Sequence, residues 1–238
     1  MKLSQEDTNN LKEILNICAI TGIDAIIIEN GIVRGMTPSK TCAIVSNINV
    51  PKFPQKIGLS RLSALRSRFD LFSSKESTVD AKETDRGEIS QLEISAAKSK
   101  VQFRCTSSAL IKAPLSINDR HDFNIFMTKD ETKTVLDSVR IMSASKIVVS
   151  ILRGAVSFKI ADESNDSFSI ELTTPPEVIN AEESSAVITY STQVLSAIVK
   201  FASQDFDTLC LKIGQRGTAT MRILNRDVVV LPEVGEQE

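Results

Sequence analysis

Between Thr128 and Ile160 the spacing of apolar residues changes period once, from that of a helix to that of a strand. Val135, Val139 and Met142 recur at i, i+4 and i+7, one face of a helix. Thr128 supplies an N-cap, and Glu131 three positions later completes the spacing of a capping box. At about 100° per residue, Lys129, Lys133 and Arg140 fall within about 40° of one another and away from the apolar face. Residues 146–152 are then β-branched and apolar, Arg153-Gly154 is a turn, and 155–160 return with alternation. This predicts a helix followed by a tight hairpin.

The unit occurs twice. Ser4 caps a stretch with Leu11, Ile14, Leu15 and Cys18 on one face and Asn9, Lys12, Glu13 and Asn16 outside it. An apolar strand over 24–29, the turn Asn30-Gly31 and the return through Ile32-Val33 follow. Asn-Gly between two apolar runs is a strong hairpin signal. A second helix is expected over 58–72, with Leu62, Leu65, Phe69 and Phe72 as its stripe and Arg61, Arg66 and Arg68 beside it. Its Leu62-Ser63-Ala64-Leu65 is matched by Leu195-Ser196-Ala197-Ile198 in a helix over 191–202, where Val194, Leu195, Ile198 and Ala202 point inward and Lys200 away. Strand pairs 92–95 with 101–105 and 209–213 with 218–223 follow these helices. The shared order predicts an α+β fold of two similar domains, 1–108 and 123–238, joined by a Ser-, Pro-, Asn- and Asp-rich link over 109–122. Residues 73–89 are polar and charged and read as a weak strand with an exposed loop, the charged part over 75–88.

Composition narrows the function classes. An apolar content of 42% supports two real cores, and a net charge of −2 excludes a broadly basic coat while allowing a local basic face. The four cysteines, at 18, 42, 105 and 210, have no paired spacing, so buried free thiols are expected. No secretory leader and no membrane-length apolar run occurs, which reads as a soluble intracellular protein.

Catalytic chemistry finds little support. There is no phosphate-binding Gly-rich loop and no metal-spaced His or Cys cluster, so no cofactor is expected. The single histidine, His121, lies in the polar link. Asp205 and Asp207 are paired carboxylates in a solvated turn. Aromatics make up only 5% with no Trp, which argues against single-strand binding by base stacking. The positive signal is charge on helix faces: Lys12, Arg61, Arg66, Arg68, Lys129, Lys133, Arg140 and Lys200, opposed by Glu13, Asp70 and Asp137. Such cations hold phosphates without reading sequence. Ordinary solvated helix faces are the plainer alternative.

At the level of this repeated order, the chain resembles the sliding clamps, the family of processivity factors that includes proliferating cell nuclear antigen and the T4-like phage clamps. The opening Met1-Lys2-Leu3-Ser4 is similar to the phage members, and Val230-Leu231-Pro232-Glu233 is placed like the apolar-Pro tail of eukaryotic ones. The resemblance implies two clamp domains per chain, six to a ring, and therefore a homotrimer around duplex DNA that tethers a DNA polymerase and is placed by a clamp loader. In a virus-derived member the setting would be the host cytoplasm. Partner peptides would meet Met36, the link at Ile111 and Pro114, and the tail at Leu231 and Pro232. A scaffolding ring that does not bind DNA is the alternative; an enzyme would need a reactive cluster that the sequence lacks.

Overall fold

The computed structural model describes every residue except 73–75, 85–87, 118, 163, 165, 181–184, 203–206, 224–225 and 234–238, and the side chain of Phe201. Asp205, Val234 and parts of the charged 75–88 stretch therefore lie outside the described residues. The chain divides into two units. One comprises Met1–Pro38, Ala43–Ser116 and Leu224–Arg226; the other comprises Ser39–Cys42, Ile117–Ile223 and Asp227–Glu238.

In the first unit, α1 (Gln5–Thr21) starts at Ser4, whose Oγ accepts the Asp7 N–H at 3.0 Å, and stops at Gly22 with φ 73°. Both are strong capping choices. Its Leu11, Ile14, Leu15 and Cys18 are buried, as their spacing requires. Strands β1 (Ala25–Glu29) and β2 (Ile32–Met36) are joined by Asn30 and Gly31, both at positive φ, the signature of a type I′ turn. β3 (Cys42–Ser46) and β4 (Ile57–Ser60) complete the order β4-β1-β2-β3. Then come α2 (Leu62–Asp70) and a three-stranded sheet of β5 (Thr78–Glu83), β6 (Ile89–Ala96) and β7 (Ser99–Arg104).

The start of α2 corrects the expected helix over 58–72. Gly58 belongs to β4, where it bridges to Thr106; a Cβ there would collide with the Thr106 carbonyl and lie 2.9 Å from the Ser108 nitrogen. The apolar 57–59 run is thus strand, and Arg61 is the N-cap of α2, in a left-handed conformation at φ 56°.

In the second unit, β8 (His121–Thr128) runs directly into α3 (Lys129–Met142). β9 (Lys146–Leu152) and β10 (Ala155–Ala161) form the expected hairpin, turned by Arg153 and Gly154 at φ 52° and 80°. There follow β11 (Ser167–Glu171), the two-residue β12 (Glu177–Val178), β13 (Ala186–Ser191), α4 (Thr192–Ala202), β14 (Thr208–Gly214), β15 (Ala219–Ile223) and β16 (Arg226–Val230). His121 opens a strand rather than lying in the connection, because it pairs with Gly214 across the sheet.

The strand order β13-β9-β10-β11 repeats β4-β1-β2-β3 position for position. β8 beside β14 repeats the bridge of Lys2 to Asp80 on β5. The same α+β module is therefore built twice, each time with two helices against antiparallel sheet.

Candidate functional site

The helix pair of the second unit carries the densest set of the expected cations. Its geometry begins at the α3 N-terminus. Thr128 and Glu131 form the capping box: the Glu131 N–H donates to Thr128 Oγ1 at 3.3 Å, and Glu131 Oε2 accepts the Thr128 N–H at 2.8 Å. The other oxygen, Oε1, accepts the N–H and hydroxyl of Thr173 at 2.7 and 2.9 Å. Burial pushes this carboxyl up, but the bonds from Thr173 and Thr128 outweigh it and bring its pKa from 4.5 down to about 2. Glu131 is thus committed to holding the helix and contributes no acid to the exposed face.

Between α3 and α4 lies a groove of 570 Å³ whose floor includes Leu136, Val139 and Ala197 and whose rim carries Lys129, Lys133, Arg140 and Lys200. The one acid in this lining is Asp137, which takes Arg140 at 3.2 Å, one turn along the same helix. The expected apolar stripe of α3 is rotated. Glu131, Thr132, Val135 and Ser138 are its buried residues, while Val139 is half-exposed in the groove. Of the polar side chains taken inward, Ser138 donates to the Thr134 carbonyl at 2.7 Å, whereas the buried Thr132 Oγ1 has no hydrogen-bond partner among the described residues.

The first unit brings only part of its expected set together. Lys12 and Arg66 share a smaller groove of 220 Å³ with Phe69 and Asp70, and Lys12 Nζ stands 5.5 Å from the Phe69 ring centre. Glu13, the adjacent acid, is drawn to the buried Arg226 guanidinium at 2.8 Å. Arg61 and Arg68 go elsewhere: both lie on the Phe103 ring of β7, at 5.4 and 5.3 Å. Arg61 also donates to the Arg104 carbonyl at 3.3 Å, and Arg68 to the Ala64 carbonyl at 2.8 Å.

The residues expected to meet partners divide between the units. Met36 ends β2, and Ile111 packs over Gly58, its Cδ1 being 3.0 Å from where a Cβ would stand. Pro114 is half-buried and lies between Leu110 and Leu115, which are 77% and 83% exposed. In the second unit the Leu231 N–H donates to the Thr41 carbonyl at 2.9 Å. Pro232 lines a 660 Å³ pocket with Val187, Ile188, Arg216 and Gly217. Neither this pocket nor the Phe103 cluster was visible in local spacing, because each is assembled from segments distant in sequence.

No group of His, Cys, Asp and Glu among the described residues could hold a metal ion. Burial pushes the Cys105 thiol up to about 12, far from a reactive thiolate. No described helix is long and apolar enough to cross a membrane.

No family model matches the chain, and no curated protein matches it. Solved structures do. A PCNA2–PCNA3 complex from Sulfolobus tokodaii aligns with TM-score 0.64 and 14% identity, over 98% of this chain and 99% of that one. Proliferating cellular nuclear antigen from Entamoeba histolytica aligns with TM-score 0.68 and 11% identity, over 98% of each.

Proposed function

We propose that this chain, which has the fold of the proliferating cell nuclear antigens, is a non-catalytic DNA sliding clamp. It encircles duplex DNA as a homotrimer, receives DNA from a clamp loader and tethers a polymerase. The observation that carries the reading is the α3/α4 groove, where four cations meet a single acid that is itself paired. Exposed cations on the two helices suit a phosphate backbone that must be held weakly enough to slide. Encirclement removes the need for tight contacts, since a closed ring cannot leave sideways.

Sheet edges support the assembly. β5 is covered by the N-terminus: the Leu3 N–H donates to the Val79 carbonyl and the Ala81 N–H to the Met1 carbonyl. β13 receives the Glu233 N–H on the Thr189 carbonyl. Among the described residues, β7 in the first unit, and β11 and the two-residue β12 in the second, remain as open ends of their sheets; β7 and β11 are the two long enough to pair over several residues. A contact between two different edges, β7 of one copy and β11 of the next, is head-to-tail and closes into a ring when the rotation fits. Polymerase and loader peptides would use the Pro232 pocket and the link around Ile111 and Pro114, where Leu110 and Leu115 are exposed.

Replacing Lys129, Lys133 and Arg140 by Glu tests the reading. Loss of processive synthesis with assembly intact supports it. Unchanged synthesis by an assembled ring would favour a scaffold that does not touch DNA.

A further inference from the structure

Resting on the ring reading above, we infer that the joint between copies is ionic, with a basic lip at β7 of one copy set against an acidic lip at β11 of the next. The periodicity of the two edges fixes which groups face outward. The Cys105 N–H bonds to the Ser90 carbonyl, so the main-chain groups of Phe103 and Val101 face β6, and those of Arg104, Gln102 and Lys100 face the open side. The Leu172 N–H bonds to the Val156 carbonyl, so Ile170 and Phe168 face β10, and Glu171, Ser169 and Ser167 face the open side. Each edge therefore offers a three-residue ladder with no bond partner of its own among the described residues, apart from the Arg104 carbonyl, which holds Arg61.

Charge separates the two edges. Around the β7 ladder stand Lys100, Arg104, Arg61 and Arg68, the last two gathered by the Phe103 ring. The nearby acid is Glu93 on β6, which takes Lys100 at 3.5 Å. Around the β11 ladder stand Glu171, Asp166 and Asp162, with Lys159 on β10 as the nearby base. Asp162 is turned inward on the Ser164 and Asp166 N–H groups, leaving Asp166 and Glu171 as the exposed carboxylates there among the described residues. With Gln102 opposite Ser169 in an antiparallel pair, Lys100 stands opposite Glu171 and Arg104 opposite Ser167, with Asp166 the next residue beyond that end. The inner row continues too: Phe168, 36% exposed at its edge, and Ile170 meet the row of Val101 and Phe103. Arg61 and Arg68 thus serve the joint rather than the DNA groove. Complementary charge of this kind steers association and makes it sensitive to salt.

The test is the solution mass of the intact chain by sedimentation across a salt series, with three variants. One carries Lys100→Glu and Arg104→Glu, the second Asp166→Arg and Glu171→Arg, and the third all four. All replaced side chains are exposed, and circular dichroism checks folding. The expected result is a trimer that dissociates as salt rises, each half-swap weakening assembly by roughly tenfold or more, and recovery in the full swap. A wild-type trimer indifferent to salt, with half-swaps assembling equally well, overturns the ionic joint and leaves the ring standing. A wild-type monomer at every salt overturns both. The salt series on the wild type decides the matter even if a variant fails to fold.

Discussion

Glu131 and Thr173 are joined twice: one carboxylate oxygen accepts both the main-chain N–H and the hydroxyl, at 2.7 and 2.9 Å. The bond ties the first turn of the cationic helix α3 to the segment that follows β11. One buried acid thereby relates the proposed DNA groove to the proposed joint.

Glu131→Ala should cost about 1–3 kcal/mol, because the Thr128 and Thr173 donors it serves lose a charged acceptor. The pH dependence has a definite sign. The folded carboxyl titrates near 2 rather than 4.5, so its contribution is full above about 4.5 and disappears as pH falls toward 2. Denaturant unfolding between pH 5 and 2.5 should show this slope in the wild type. Glu131→Gln should flatten it.

Gly214→Ala should destabilise the second unit, by roughly 1–3 kcal/mol. A methyl there would collide with the Asp119 carboxylate, which also accepts the Arg216 N–H at 3.0 Å and the Thr218 hydroxyl at 2.7 Å. Thermal melts of the Gly214→Ala/Asp119→Ala pair should show less than the sum of the single losses. Strict additivity would mean that the two do not meet.

Arg153→Asn should stabilise the β9–β10 hairpin by about 0.5 kcal/mol. Arg153 holds φ 52°, a region asparagine tolerates better. Gly154→Ala should cost about 1–2 kcal/mol although nothing crowds the position, since its φ of 80° is the strained quantity. Melting temperatures of the two variants should move in opposite directions.

What the sequence discloses follows the range of the interaction. The Asn30-Gly31 and Arg153-Gly154 turns, the Ser4 cap and the Thr128–Glu131 box are decided within four residues, and all are present. The strand pairs after each second helix also appear, Leu92 opposite Phe103 and Lys212 opposite Thr220. Readings fail where a distant partner decides. Gly58 looks like the start of a helix until Thr106 claims it for a strand. His121 looks like part of a loop until Gly214 pairs with it. The rotated face of α3 reflects Thr132 and Ser138, polar residues taken inward against their hydropathy. The cations were legible as residues but not as groups: Lys133, Arg140 and Lys200 share one groove, whereas Arg61 and Arg68 gather on an aromatic ring some forty positions away.

Encirclement is the central claim, and end-dependent threading tests it without a loader. The chain is incubated with linear duplex carrying either one free end or bulky blocks at both, at the highest salt at which sedimentation still shows the trimer intact, and bound protein is counted. The account predicts accumulation on the duplex with the free end and none on the doubly blocked one. Equal binding to both, or binding to neither when the protein is a trimer, would contradict it.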